Sequence, residues 1–195
     1  MNSEKIAGAL TFLKEAERLK DVLRTAYTAS GQRESTAAHT WRLCLMALVF
    51  ERELAGEGES LDFARLLKIC VLHDLGEALG GDIPATEQDP AAGKSAQERA
   101  DLQTLLAPLD AELQAEFLAL WDEYEHGASP EARLVKGLDK LETILQHNQG
   151  RNPADFDYAF NLSYGQQHTS THPLLAEIRA LLDAETRRNA ERGAS

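Results

Sequence analysis

The sequence predicts an all-α protein. Apolar residues recur at helical spacing along nearly the whole chain, helix start and stop signals bracket those runs, and no stretch of useful length alternates as a strand would. From the N-terminus, Ile6, Leu10, Leu13 and Ala16 share one stripe, which Leu19, Val22 and Leu23 continue. A second helical run covers about residues 37–54. A third starts near Leu61, capped by Ser60, and runs through His73. Gly76, Gly80 and Gly81 weaken that helix, and Asp82-Ile83-Pro84 ends it. Residues 85–93 read as a loop. A fourth helix opens at Ser95 or Ala96 and ends near Pro108, and Asp110 caps a fifth that stops at Glu125-His126-Gly127. Ser129-Pro130-Glu131 combines an N-cap hydroxyl, a first-turn proline and an early acid. The helix it begins carries Leu134, Leu138, Leu141 and Leu145 toward a core and ends near Gly150. A short helix around 153–162 and a last one from Pro173 complete the chain. With no internal repeat and no long linker, residues 1–195 read as one domain, with C-terminal helices over about 153–190.

Composition narrows the function classes. The chain has 195 residues, 43% hydrophobic and 27% charged, with 20 Lys+Arg against 32 Asp+Glu and a formal net charge of −12. That length fits one domain and buries a full core without staples. Ordinary apolar content excludes disorder as the main state. The acidic balance argues against a protein that coats a nucleic-acid polymer, which needs a basic face to displace counterions. A small anionic substrate remains compatible, provided a metal or a few basic side chains concentrate positive charge locally. Cys44 and Cys70 sit in apolar runs and read as buried free thiols, a disulfide being the alternative. The N-terminus lacks the apolar core of a signal peptide, and no window approaches the roughly 20 apolar residues that span a bilayer. These features predict a soluble, cytoplasmic protein with no membrane partner. Trp41 and Trp121, on apolar helix faces, are expected in the core.

The chemistry is carried by histidines and carboxylates. His73-Asp74 arrives directly after the apolar run Leu66 to Leu72, where a buried helix continues. Burying an imidazole beside a carboxylate is costly unless something pairs with both, and a metal ion does so. His39 precedes another apolar run, and Asp139 interrupts the face of Leu134, Leu138, Leu141 and Leu145. Two imidazoles and two carboxylates suit Mn, Fe, Co, Ni or Zn better than Ca or Mg, and leave positions open for water and substrate. Spacing alone does not show that the four converge. Glu77 lies four residues after His73 and faces the same way if the helix persists, but it also reads as a solvated helix residue. His126 fits a helix C-terminus, and His147, His168 and His172 read as surface or packing residues.

In this order, Arg33-Glu34-Ser35-Thr36-Ala37-Ala38-His39, His73-Asp74-Leu75-Gly76-Glu77, Gly81-Asp82-Ile83-Pro84 and Asp139-Lys140-Leu141-Glu142 resemble HD-domain phosphohydrolases of the 5′-deoxynucleotidase branch, over about residues 24–146. The resemblance implies an HD-domain helical bundle in which His39, His73, Asp74 and Asp139 bind one divalent metal. It places Glu77 at the catalytic acid, Asp82 at a contact with the deoxyribose hydroxyl and Arg24 at the residue that orients the phosphate. Thr25 stands where such proteins often carry tryptophan. The implied activity is hydrolysis of deoxyribonucleoside 5′-monophosphates by a homodimer. A phosphohydrolase of nucleoside triphosphates or signalling nucleotides, or a non-catalytic nucleotide-binding module, are the alternatives.

Overall fold

The structure, a computed structural model, describes residues 2–55, 60–84 and 93–193. Its helices are α1 (Ser3–Ala16), α2 (Thr36–Val49), α3 (Glu51–Leu54), α4 (Phe63–Leu72), α5 (Glu77–Gly80), α6 (Lys94–Leu106), α7 (Ala111–His126), α8 (Pro130–Gln149), α9 (Phe160–Ser163), α10 (Gln166–Thr169) and α11 (Pro173–Gly193). The expected loop over 85–93 lies outside the described residues except for Gly93, which precedes α6 at φ 68°.

The bundle is organised around α8, which packs against α2, α4, α7, α10 and α11. Ser129 Oγ accepts from the Ala132 amide at 3.0 Å and Pro130 occupies the first turn, so the expected start signal operates as read. Val135, Leu138, Leu141 and Ile144 are fully buried and meet Leu43, Leu66, Ile69, Leu102 and Leu106 in one core. Asp110 caps α7 by accepting from the amides of Glu112 and Leu113, and Gly127 ends it with φ 58°.

Several local expectations are corrected. A two-stranded antiparallel hairpin, β1 (Leu23–Tyr27) and β2 (Arg33–Ser35), stands where no strand was expected. It is too short for a periodicity signal, and Gly31 makes its turn at φ 85°. The helix expected over 37–54 breaks at Phe50 into α2 and α3. The cap of α4 is Asp62, whose side chain accepts from the Arg65 amide at 2.9 Å, rather than Ser60. The helix expected over 153–162 shrinks to α9, with α10 following it. Trp121 is buried as expected, but Trp41 is 66% exposed on the outer face of α2. The α1 stripe of Ile6, Leu10 and Leu13 also faces outward, and α1 anchors instead through Phe12, which packs near Phe117. Cys44 and Cys70 are free thiols. No described helix is long and apolar enough to cross a membrane.

Candidate functional site

Helices α2, α4 and α8 bring the dispersed motif residues to one place. His39 comes from the second turn of α2, His73 caps the C-terminus of α4, Asp74 follows it, and Asp139 lies midway along α8. His39 Nε2 lies 3.2 Å from Asp139 Oδ1 and 3.6 Å from Asp74 Oδ2, and His73 Nε2 lies 3.1 Å from that same Asp74 oxygen. His39, His73 and Asp74 can each offer one ligand atom, all within 4.8 Å of one another. His39, His73 and Asp139 are buried, and Asp74 is half-buried.

The chemistry of this cluster fits a divalent cation. Both Nε2 atoms are buried without a hydrogen bond of proper geometry, although carboxylate oxygens stand close by. A cation among His39, His73 and Asp74 would satisfy two orphaned nitrogens and one carboxylate together. Asp139 lies outside that group of three and meets it through His39 Nε2. The electrostatics point the same way. Burial and Arg24 oppose a charge on His39, yet Glu142 and Asp139 push its value up to about 10. Burial also opposes ionisation of Asp74, but His73 and His39 hold it below the ordinary carboxylate range. The cluster therefore demands positive charge, as a proton or as a metal ion.

The outer side of the cluster is occupied. Asp139 Oδ2 accepts from Tyr124 Oη and Lys140 Nζ, each at 2.9 Å, which leaves Oδ1 facing His39. His73 Nδ1 is 2.8 Å from the Cys70 carbonyl, so this nitrogen carries the hydrogen and Nε2 presents its lone pair to the cluster. On the other side of the His39 ring, Nδ1 contacts Glu142, which is fully buried.

Glu77 reaches the site by a route the helical reading did not foresee. The backbone over 73–78 tightens into i→i+3 bonds, with the Leu75 amide on the Leu72 carbonyl at 3.1 Å and the Glu77 amide on the Asp74 carbonyl at 3.0 Å. Three residues per turn align Glu77 with Asp74 rather than with His73. Gly76 permits this, because a Cβ there would sit 2.6 Å from the Glu98 carbonyl oxygen. Glu77 is 6% exposed and accepts from Thr36 Oγ1 at 3.1 Å. Burial, with repulsion from Asp74 and Asp82, pushes its carboxyl up to about 9. Gly81 then exits at φ 83° and directs Asp82 toward the same cavity, where burial raises its carboxyl as well.

Arg24, on β1, donates from Nη2 to Thr143 Oγ1 at 3.0 Å, and its Nε lies 3.9 Å from Glu34 Oε2. Together with His73, Asp74, Glu77, Asp82 and Asp139 it lines a cavity of about 1070 Å³. Lys94, Lys136 and Lys140 line it too, Lys94 paired with Glu98 and Lys140 with Asp139, so carboxylates still outnumber cationic side chains around the opening. Away from the cluster the cavity is walled by Tyr27, Phe156, Phe160 and Tyr164.

The sequence reading assigned no role to Thr36, Tyr124, Lys136, Thr143 or Glu142. Thr36 and Glu142 were visible inside the quoted motifs, and Glu142 follows Asp139 by three residues on one helix face. Tyr124 and Lys136 carry no local signal. His147 is buried against Asn161 and borders the cavity, whereas His126 hydrogen-bonds its own helix at the Asp122 carbonyl.

A helical bundle with this histidine and aspartate cluster defines an HD-domain protein, and the HD-domain family model matches residues 16–179, so the chain belongs to that family. Individual relatives narrow the class. The chain is similar to the 5′-deoxynucleotidase HDDC2 of Danio rerio, with 33% identity over 190 residues covering 94% of this chain and 90% of that protein. It is likewise similar to the 5′-deoxynucleotidase HDDC2 of Homo sapiens, at 29% identity over 95% of this chain and 90% of the relative. The crystal structure of a predicted metal-dependent phosphohydrolase from Magnetospirillum magnetotacticum superposes with a TM-score of 0.77 at 29% identity, over 95% of each chain. Membership of this family implies a divalent metal, which the residues present fit.

Proposed function

We propose that the protein is a 5′-deoxynucleotidase that hydrolyses deoxyribonucleoside 5′-monophosphates to deoxynucleosides and phosphate. The observation that carries the reading is the meeting of His73, Asp74, Asp139, the buried Glu77 and Arg24 around one cavity, with the orphaned His39 Nε2 held against Asp74 and Asp139 behind it. Its similarity to proteins named 5′-deoxynucleotidase supports the substrate class.

His39, His73, Asp74 and Asp139 would hold one divalent transition ion, Mn, Co, Fe, Ni or Zn by their mixed nitrogen and oxygen donors. When bound, such an ion supplies Lewis-acid activation of a water and of a phosphoryl oxygen. The other steps belong to the chain itself. Arg24, braced by Thr143, presents its guanidinium to the phosphate. As the water oxygen bonds to phosphorus, the bond from phosphorus to O5′ breaks and its electron pair stays on O5′. Glu77, buried beside Asp74 and Asp82 in a setting that raises its carboxyl, delivers a proton to that oxygen. The proton that the attacking water gives up as it bonds to phosphorus restores the Glu77 carboxyl. Asp82 accepts a hydrogen bond from the sugar, and closure around that contact disfavours a ribose 2′-hydroxyl.

The cavity volume also admits a nucleoside triphosphate, so a second reading as a triphosphate phosphohydrolase is kept. A screen of dAMP, AMP, dCMP, CMP, 3′-dAMP isomers and dATP with Mn, Co, Ni, Zn and Mg separates the two. Phosphate release confined to 5′-deoxymonophosphates is expected, and metal-dependent release from dATP alone would move the assignment. We also propose a single domain, a cytoplasmic location and a homodimer. The exposed α2 stripe of Trp41, Leu45, Leu48 and Val49 is the surface on which a second copy would pack. Light scattering of the wild type and of Trp41→Glu checks that assembly.

A further inference from the structure

Helix α8 grips the His39 ring from both sides. Asp139 Oδ1 faces Nε2 at 3.2 Å, and one helical turn further on Glu142 Oε2 contacts Nδ1. The separation of three residues puts both carboxylates on the same face of α8, so one rigid element sets the position of each. Glu142 is fully buried, as is His39. A buried carboxylate is tolerated only when both oxygens are paired, and here Oε1 accepts from Arg42 Nε at 2.6 Å while Oε2 meets the imidazole.

We infer that Glu142 is a positioning residue for the metal centre: it holds the Nδ1–H of His39, and thereby turns the Nε2 lone pair toward the cation. The inference rests on the reading of His39 as a metal ligand. Imidazole ligands depend on such a partner, because the group bonded to the distal nitrogen sets both the tautomer and the ring rotation. His73 solves the same problem with a backbone carbonyl, at Cys70. His39 sits in the second turn of α2, and its Nδ1 is met by a side chain brought in from a position 103 residues away.

A second cluster competes for the same ring. Glu34, His39 and Glu142 also place one ligand atom each within 4.8 Å, and could in principle hold an ion on the Nδ1 side. Arginines argue against it. Arg42 is bonded directly to Glu142, and Arg24 lies 3.9 Å from Glu34, so a dication there would face two guanidinium groups at close range. On the Nε2 side the nearest charged groups are the carboxylates of Asp74 and Asp139.

The test uses the full-length protein stripped of metal and titrated with Mn²⁺ or Zn²⁺ by calorimetry, with elemental analysis for stoichiometry. Glu142→Ala is expected to bind about 10- to 100-fold more weakly than wild type, at an unchanged one ion per chain. Glu142→Gln, which keeps an acceptor for the Nδ1–H, should recover most of that loss. A folded Glu142→Ala variant with wild-type affinity would overturn the inference, as would a wild type that binds two ions and loses one in the variant. Should the alanine variant fail to fold, long-range ¹H–¹⁵N spectra of the Zn²⁺-loaded wild type decide. A protonated Nδ1 and a coordinated Nε2 on His39 are expected, and coordination through Nδ1 would overturn it. A wild type that binds metal but hydrolyses no nucleotide would defeat the proposed function and leave this inference standing.

Discussion

Glu77→Gln in the metal-free protein isolates how strongly the fold resists a negative charge beside Asp74. In the folded chain the Glu77 carboxyl titrates at about 9 instead of 4.5, because it is buried and faces Asp74 and Asp82, with Lys94 only partly compensating. Between those values the folded state keeps a proton that the unfolded state has released. Stability therefore falls as pH rises through that window, from its full value below 4.5 to its lowest above about 9. At about 1.4 kcal/mol per unit, the interval sets a ceiling of about 6 kcal/mol. Side-chain rotation and entry of water relax the charged state, so about half of that is the expected effect. Glutamine is neutral at every pH and keeps an acceptor for Thr36 Oγ1. Urea unfolding of chelator-treated wild type and variant at pH 5, 7 and 8.5 gives the comparison. The two should be similar at pH 5, and the variant should be more stable by about 3 kcal/mol at pH 8.5. A stability difference that stays constant across this range would refute the account of a carboxyl held neutral by its surroundings.

The other expectations concern ligands, sugar recognition and packing. Asp74→Ala should lose both bound metal and turnover, whereas His168→Ala should keep both; elemental analysis showing full occupancy in the Asp74 variant would remove Asp74 from the ligand set. Asp82→Ala, deprived of one hydrogen bond to the sugar, should lower the preference for dAMP over AMP about 5- to 100-fold, corresponding to about 1–3 kcal/mol. Equal wild-type rates on dAMP and AMP would sink that role for Asp82. Gly76→Ala places a methyl group 2.6 Å from the Glu98 carbonyl, so the turn carrying Asp74 and Glu77 must shift. A loss of about 1–3 kcal/mol in thermal unfolding and reduced turnover are expected, and an unchanged melting temperature with normal turnover would contradict the packing described.

What the sequence by itself determined is local. The caps at Asp110 and Ser129-Pro130, the stop at Gly127 and the α8 stripe at Leu134, Leu138 and Leu141 depend on residues within a turn or two of one another and formed where the pattern lies. Leu145, by contrast, is half-buried, and Val135 and Ile144 fill the core beside the stripe. His73-Asp74 and Asp139 were also conspicuous, because polar groups interrupting apolar runs stand out in a single chain, but the expectation that they meet His39, and the place of Glu77, came from the resemblance of the ordered motifs. Tertiary structure decided the rest. The hairpin that carries Arg24 is too short to announce itself, and it is held against α8 through a contact spanning 119 residues, from Arg24 to Thr143. Trp41 and the α1 stripe share the spacing of core residues, and only the packing of the other helices shows that nothing among the described residues covers them. The alignment of Glu77 with Asp74 depends on a tightened backbone that packing against Glu98 requires. Glu142 was in plain view three residues after Asp139, but which ring nitrogen it meets is set by where α2 crosses α8. A pattern read along one chain reports which face a side chain shares, and only the crossing of two helices reports what stands opposite it.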